Sequence, residues 1–328
     1  MPFRLNKFPL SWGDLPWSFA RFGRDRGGAA DVHAPLLSER ELGEIAALAS
    51  ETSAGRRMSE HLQRGEQASR FRGAGIDFED LRPYQPGDDP RRIDWRVTAR
   101  LRKTFVRVYG ETRQAALWVV ADRGASMCFG THTRLKAAQA ARLAALLLSS
   151  ASRGHEALAL SLLDHAEHLS HPPGAGRAAL QRALHDLSAP CPPRADNAAS
   201  LWTPLLSELE ISLPQGSRLW LCSDFLGLSQ ADERLLQRLA ARADVRLALI
   251  EDVQEDALPR LGRIRLAGKE GEIEIDTQDP ALRQTYAQFN AERRQGLEDL
   301  ALRLGGHLLR LRADEDLAQL ATRLAGIA

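Results

Sequence analysis

Two aspartates stand where the sequence predicts that buried strands end. Asp122 follows the apolar run 115–121, and Asp224 follows the run 218–222. In an open α/β sheet, ligands bind beyond the carboxyl ends of the strands, at the point where the strand order reverses and leaves a crevice. We therefore expect both carboxylates to lie at such a crevice.

The loop that Asp122 opens resembles a known metal-binding loop. The run Asp122-Arg-Gly-Ala-Ser126 is similar to the Asp-x-Ser-x-Ser loop of von Willebrand factor A domains, in which a carboxylate and two hydroxyls hold a divalent cation. In such domains a threonine and an aspartate on later loops also help to hold the cation. This sequence departs from that pattern at two positions: Gly124 replaces the first serine, and the segment 196–203, where the threonine loop should lie, has no threonine at the expected place. The resemblance implies a degenerate site for Mg²⁺ or another divalent cation, formed by Asp122, Ser126 and Asp224. The alternative is that these carboxylates cap a helix or bind an arginine.

A dense run of arginines and aspartates lies upstream, at residues 73–100, and we call it the signature block. Pro, Gly and Asp at 86–90 favour a tight turn. Bidentate arginine–carboxylate pairs could fix this turn, with Trp95 as its apolar anchor. The block could be an ion-pair scaffold or a partner-docking surface, and a catalytic centre is disfavoured because no nucleophile or histidine accompanies the carboxylates. The candidate residues are Arg82, Asp88, Asp89, Arg91, Arg92, Asp94, Trp95 and Arg96.

The signature block is similar to that of the domain of unknown function 58 family. Members of that family carry a run close to EF-DLR-Y-PGDD-R-IDW---AR, and the similarity covers roughly residues 55–325. The resemblance implies a von Willebrand A-like domain after the block. It also implies a role with MoxR-type AAA+ ATPases and other von Willebrand A proteins in assembling or activating proteins, including under stress. Many members begin with two membrane helices, which this sequence lacks, so we expect a member without a membrane span.

Other motifs give little support to catalysis. Neither a Gly-x-x-x-x-Gly-Lys-Ser/Thr phosphate loop nor a Gly-x-Ser-x-Gly nucleophile elbow occurs, and Ser126 has no evident base. His165, His168 and His171 have a spacing of three, which on a helix would suggest a metal site. Because they follow an apolar strand and precede two prolines, we expect exposed histidines on a hairpin strand, with His168 on the face opposite to the other two.

The hydrophobic pattern predicts strands that alternate with helices after residue 115. Helices are predicted near 38–52, 133–152, 175–187, 200–210, 229–242, 280–304 and 315–326. Ser38 and Glu41 have the spacing of a capping box, which marks the start of the first helix. Strands are predicted at 104–109, 115–121, 158–163, 218–222, 245–250 and 307–311, with short strands near 262–276. The predicted fold is α/β, a von Willebrand A-like, doubly wound, mostly parallel sheet with helices on both faces. A small, arginine- and aspartate-rich, partly β elaboration precedes it. The predicted domains are an extended arm (1–35), a helix with the signature block (36–113) and the α/β domain (114–328).

Charge excludes a protein that coats nucleic acid through global basicity. The 328 residues carry 44 Lys and Arg against 43 Asp and Glu, a net charge of +1. Within this balance residues 56–113 carry fourteen bases and nine acids, a local +5. Arginine dominates the bases, and the lysines are Lys7, Lys103, Lys136 and Lys269.

Cysteine usage and hydropathy favour a cytoplasmic protein. Cys128, Cys191 and Cys222 are odd in number and widely spaced, which disfavours a disulfide framework or a metal site, and Cys222 is predicted to be a core residue. No run reaches the roughly 18–20 apolar residues of a membrane span.

Together these features predict a non-enzymatic adaptor that works with a MoxR-type AAA+ ATPase. One alternative is a Mg²⁺- or Mn²⁺-dependent hydrolase that uses Asp122 and Asp224. The other is weak nucleic-acid binding by the basic block at 56–113, although nucleic acid is an unlikely partner for a chain of this net charge.

Overall fold

The computed structural model describes most of the chain. The described residues are 31–63, 78–85, 89, 93–109, 115–128, 130, 134–164, 168–191, 201–255, 260, 262–268 and 271–326. Most of the predicted N-terminal arm, residues 1–30, therefore lies outside them. The chain divides into two compact units, with the boundaries after Arg57 and after Gln114.

The first helix, α1 (Glu39–Gln63), begins at the capping box that the sequence predicts. The N–H of Ser38 donates to Glu41 Oε2 at 3.0 Å, and the N–H of Glu41 donates to Ser38 Oγ at 3.3 Å. The helix continues beyond its predicted end at residue 52. Ile45 and Ala49 are buried in the core of the larger unit.

Among the described residues, the smaller unit contains a two-stranded antiparallel sheet, a short helix and the last turns of α1. Strand β1 (Phe78–Pro83) pairs with β2 (Phe105–Tyr109), and α2 (Trp95–Leu101) lies between them in the chain. Thr98 Oγ1 accepts a hydrogen bond from the N–H of Phe105 at 3.1 Å, which ties α2 to the start of β2. This unit provides the partly β elaboration that the sequence predicts.

A six-stranded sheet forms the centre of the larger unit. Its strands are β3 (Ala116–Asp122), β4 (Ala157–Leu163), β5 (His168–Gly174), β6 (Arg218–Ser223), β7 (Asp244–Glu251) and β10 (Leu309–Arg312). They are hydrogen-bonded in the order β10-β7-β6-β3-β4-β5, and all neighbours are parallel except β4 and β5. A separate antiparallel pair is formed by β8 (Arg263–Gly268) and β9 (Gly271–Asp276).

Helices cover both faces of the six-stranded sheet. They are α3 (Lys136–Arg153), α4 (Gly176–Ser188), α5 (Trp202–Ser212), α6 (Gln230–Ala240), α7 (Pro280–Arg303) and α8 (Leu317–Ala325). Residues of α1, α3, α4 and α8 form one buried cluster, and residues of α5, α6 and α7 form the other. Every residue of β3 is buried, because a strand covered on both faces has no solvent side. The prediction of an α/β fold with a mostly parallel sheet flanked by helices is confirmed.

The strand order reverses between β3 and β6. From β3 the chain moves outwards through β4 to β5 and then returns to β6 on the other side of β3. A crevice beyond the carboxyl ends of these two strands is the place where an open α/β sheet binds its ligands. Asp122 ends β3 and Ser223 ends β6, so both residues lie at this reversal.

The histidines of β5 point to opposite faces of the sheet, as predicted. His168 Nε2 lies 2.5 Å from Glu208 Oε2 of α5, and His171 Nε2 lies 2.5 Å from Asp186 Oδ2 of α4. Their side chains are half-buried rather than exposed, because the flanking helices cover them. The third histidine, His165, lies outside the described residues.

In the part of the chain that the structure describes, no helix is both long enough and apolar enough to cross a membrane.

Candidate functional site

The carboxylate of Asp122 is buried at the end of β3. Its Oδ1 accepts a hydrogen bond from the N–H of Gly124 at 2.7 Å, and its Oδ2 accepts one from Ser223 Oγ at 2.5 Å. Burial and the charge of nearby Asp224 raise the pKa of Asp122 to about 7, against the opposing effect of these hydrogen bonds and of Lys136. Asp122 therefore changes its protonation state near neutral pH.

Asp224 follows β6 and is also fully buried. Its Oδ2 accepts a hydrogen bond from Lys136 Nζ at 2.8 Å, and its Oδ1 accepts one from the N–H of Leu226 at 3.0 Å. Its backbone carbonyl accepts a third from Arg293 Nη1 at 2.9 Å. Burial alone would raise the pKa of Asp224, but Lys136, the Leu226 amide and Arg293 hold that pKa below its usual value. Asp224 is therefore a charged carboxylate at neutral pH.

Lys136 is the first residue of α3, and its side chain is 1% exposed. Its ammonium donates to Asp224 and also to Oε1 of Glu255, which lies in a 3₁₀ turn after β7. Burial alone would lower the pKa of Lys136, but the two carboxylates raise it above its usual value. The other oxygen of Glu255 accepts a hydrogen bond from the N–H of Asp252 at 3.1 Å. We call this site the lysine–carboxylate cluster, which consists of Asp122, Lys136, Ser223, Asp224 and Glu255.

The structure brings together two of the three predicted metal ligands. Asp122 and Asp224 both belong to the lysine–carboxylate cluster and influence each other's charge. Ser126 lies in the turn after β3 and is half-buried. The hydroxyl that hydrogen-bonds Asp122 is that of Ser223. The basic residue that pairs with Asp224 is a lysine, whereas the sequence suggested an arginine.

The segment 196–203, where the resemblance to von Willebrand A domains implies a threonine ligand, lies partly outside the described residues. Residues 196–200 lie outside the described residues, and Thr203 lies within α5, as its position in the sequence predicts. Thr203 Oγ1 donates to Asp232 Oδ1 of α6 at 2.5 Å, so its hydroxyl joins two helices. Among the described residues, no three or more His, Cys, Asp or Glu side chains are grouped so that they could hold a metal ion.

Sequence reasoning missed Lys136 and Glu255. The available signal was the composition of α3, where Lys136 precedes a run rich in alanine and leucine whose residues from 137 to 151 are all buried. A helix that is apolar on all sides is buried, and a charge within it needs a partner. Glu255 carries no comparable signal, because it follows β7 in a polar segment.

The signature block belongs to the smaller unit. Asp94 caps α2, with Oδ1 accepting from the N–H groups of Arg96 and Val97 at 3.0 and 3.1 Å. Trp95 is 68% exposed, so its prediction as an apolar anchor is wrong. The reason is that α2 has only seven residues and buries none of them. Arg96 and Asp89 are exposed.

Of the remaining candidate residues in the signature block, one lies in the described chain. Arg82 lies in β1. Three predicted residues lie outside the described chain, namely Asp88, Arg91 and Arg92. The arginine–carboxylate pairs expected here stay a prediction.

Two of the three cysteines lie together despite their separation in the sequence. The thiol of Cys128 hydrogen-bonds that of Cys191, and this contact together with burial raises the pKa of Cys128. Cys128 Sγ also lies 3.3 Å from the carbonyl oxygen of Arg123. Cys222 is a buried core residue of β6, as predicted, and burial raises its pKa.

Comparison with known proteins identifies relatives of this chain. The family model described as "Protein of unknown function DUF58" matches residues 80–296. The uncharacterized proteins Mb1516 of Mycobacterium bovis and Rv1480 of Mycobacterium tuberculosis are each 31% identical to it over 257 residues, which are 77% of this chain and 79% of theirs. Two solved structures show a distant likeness at 11% identity, over 65% of this chain and 98% of theirs. They are the conserved hypothetical protein BatB of Bacteroides thetaiotaomicron (TM-score 0.40) and an aerotolerance-related membrane protein of Bacteroides fragilis (TM-score 0.41). From the family match and the mycobacterial relatives, the chain belongs to the DUF58 family.

Proposed function

We propose that this chain is a non-enzymatic, von Willebrand A-like adaptor in the cytoplasm. It works with a MoxR-type AAA+ ATPase, and with other von Willebrand A proteins, in assembling or activating client proteins. The partner docks on the carboxyl edge of the six-stranded sheet, at the loops that follow β3 and β6. The signature block provides a second docking surface.

The strand order supports the von Willebrand A-like assignment. In chain order the sheet runs third, second, first, fourth, fifth, sixth, with one antiparallel strand at its edge. This is the arrangement of a doubly wound fold, whose ligand site lies between the first and fourth strands. A binding surface at the loops after β3 and β6 fits that arrangement.

The observation that carries the proposal is the burial of the lysine–carboxylate cluster beneath exposed loops. Asp122, Lys136 and Asp224 are 4%, 1% and 0% exposed, so their charged groups are sealed from an external substrate. Ala125 and Gly227, in the turns above them, are exposed. A cluster of this kind fixes the shape of a surface without placing its own charged groups on it, which favours docking over catalysis.

The two alternatives receive less support. A metal-dependent hydrolase would need Asp122 and Asp224 for a metal, whereas Asp224 is paired with Lys136. Nucleic-acid binding by the basic block at 56–113 stays a prediction.

The exposed tryptophan of α2 supports a second docking surface. Tryptophan is enriched among the residues that dominate binding energy at protein interfaces. Trp95 stands on the surface of the signature block, beside the exposed Arg96. An aromatic ring next to a guanidinium suits a protein partner with an apolar pocket and an acidic rim.

Co-purification with the MoxR-type ATPase of the same organism tests the proposal. We expect a stable complex and a changed rate of ATP turnover. We also expect that Trp95→Ala weakens the complex without lowering the melting temperature, and that Leu302→Ala, at another exposed apolar residue, leaves binding unchanged. Absence of a complex together with unchanged turnover would rule the proposal out.

A further inference from the structure

We infer that Lys136 is a built-in cation: its ammonium holds Asp224 and Glu255 in the place where the von Willebrand A resemblance implies a divalent metal. The loops at the carboxyl edge of the sheet are then fixed without a metal ion. This inference concerns the cation of the lysine–carboxylate cluster, and it holds whether or not the partner is an ATPase.

The oxygen atoms of the two aspartates are already engaged by the protein. Both carboxylate oxygens of Asp122 accept hydrogen bonds, from Gly124 and from Ser223. Both oxygens of Asp224 do the same, from Lys136 and from the Leu226 amide. Mg²⁺ requires about six oxygen ligands in near-octahedral geometry. A divalent ion on Asp224 would also lie beside the Lys136 ammonium, which repels it.

The loop after β3 lacks one hydroxyl that a metal site of this type uses, because residue 124 is a glycine. An added Cβ at Gly124 would lie 3.0 Å from Asp122 Oδ1, because the N–H of the same residue already caps that oxygen. A serine at position 124 would therefore require the Asp122 carboxylate to move slightly. The residues present do not fit a divalent metal.

The position of Lys136 in α3 requires a specific explanation. It is the first residue of the helix, and no acidic residue occupies the first turn. A cation at this end is disfavoured, since the amino terminus of a helix carries a partial positive charge. The compensating carboxylates come from other parts of the chain, Asp224 after β6 and Glu255 after β7.

The ammonium therefore joins three elements of the fold. It links the start of α3 to the loop after β6 and to the turn after β7. A lysine achieves the bridge through a covalently attached charge, which neither a chelator nor dilution can remove.

The wild-type protein provides the first test. We expect that millimolar Mn²⁺ or Mg²⁺, and equally a chelator, leaves its melting temperature unchanged, and that Mn²⁺ shows no saturable binding by electron paramagnetic resonance. Saturable Mn²⁺ binding with a rise in melting temperature, abolished by Asp224→Asn, would overturn the inference.

Chemical rescue provides the second test. Lys136→Ala removes the atoms of a propylammonium ion, so we expect a lower melting temperature that n-propylammonium chloride partly restores. The neutral n-propanol should not restore it. The matched control is Leu143→Ala, which empties a buried apolar site in the same helix and should gain nothing from the ammonium.

Two further outcomes would refute a role for the Lys136 charge. Equal rescue by n-propanol and n-propylammonium, or a Lys136→Met protein as stable as the wild type, would show that the charge is not what joins the elements. If Lys136→Ala fails to fold, the wild-type manganese titration decides. None of these outcomes depends on whether the chain binds an ATPase.

Discussion

Ser223 Oγ donates a hydrogen bond to Asp122 Oδ2 at 2.5 Å and thereby joins the carboxyl ends of β6 and β3. The same hydroxyl accepts a hydrogen bond from the N–H of Phe225 at 2.8 Å. Phe225 has a φ of 56°, a left-handed conformation that residues other than glycine rarely adopt. Its ring stacks on that of Trp202, with 5.9 Å between the centroids. These contacts fix the conformation of the turn after β6.

Removing the Ser223 hydroxyl should destabilise the fold. Ser223→Ala leaves Asp122 Oδ2 without this donor and the Phe225 amide without this acceptor, both in the buried interior. We expect a loss of about 1–3 kcal/mol in the free energy of unfolding, measured by chemical denaturation. Ser50→Ala is the control, because that exposed hydroxyl only donates to the carbonyl of Ala47 within α1. Equal stability of the two variants would contradict the role of Ser223.

The protonation of Asp122 should make stability depend on pH. Folding raises the pKa of this group from 3.8 to about 7, so its protonated form is favoured in the folded state. The stabilisation is complete below the unfolded pKa and is lost as the pH rises through the folded value. We expect Asp122→Asn to reduce the fall in melting temperature between about pH 4 and about pH 8. An unchanged slope in the variant would refute the assignment.

Loss of the Lys136 charge should cost more than the loss of a surface lysine. Lys136→Met keeps most of the length of the side chain but leaves Asp224 and Glu255 buried without their cation. Breaking a buried ion pair in this way destabilises proteins by about 3–5 kcal/mol. Lys103→Met, at an exposed lysine, should change stability little. Comparable unfolding free energies for both variants would argue against a cationic role for Lys136.

The thiol of Cys128 should react slowly in the folded protein. Its contact with Cys191 and its burial raise its pKa, and the thiolate is the reactive form. We expect alkylation by iodoacetamide at neutral pH to be slower than in the urea-unfolded chain. Cys191→Ala should accelerate it, because the neighbouring thiol is removed. Peptide mapping distinguishes the sites, and a rate at Cys128 that Cys191→Ala leaves unchanged would contradict this prediction.

The sheet could be predicted because its strands are buried on both faces. Runs such as 115–121 and 247–250 are continuously apolar, which distinguishes them from the helices between them. The approach of Asp122 to Asp224 could be predicted as well, because parallel strands end at one edge. Local turn chemistry also allowed the capping box of Ser38 and Glu41 to be found.

The identity of the cation in the cluster could not be predicted. Lys136 meets Glu255 across 119 residues of sequence, and no local pattern records that contact. Trp95 was wrongly expected to be an apolar anchor, because the burial of a side chain on a short helix depends on tertiary packing, which no local pattern shows. The thiol pair of Cys128 and Cys191 was missed for the same reason, because its members follow different elements of the fold.

The affinity for the MoxR-type ATPase, compared between two surface variants, tests the central claim most directly. Ala125→Arg places a bulky charge on the exposed turn after β3, at the carboxyl ends of the strands. Ile211→Arg places one near the end of α5 that leads into β6, at the amino ends of the strands. The account predicts that Ala125→Arg weakens binding at least about tenfold, or about 1.4 kcal/mol, with an unchanged melting temperature, while Ile211→Arg binds like the wild type. Wild-type affinity in Ala125→Arg would contradict docking at the carboxyl edge of the sheet.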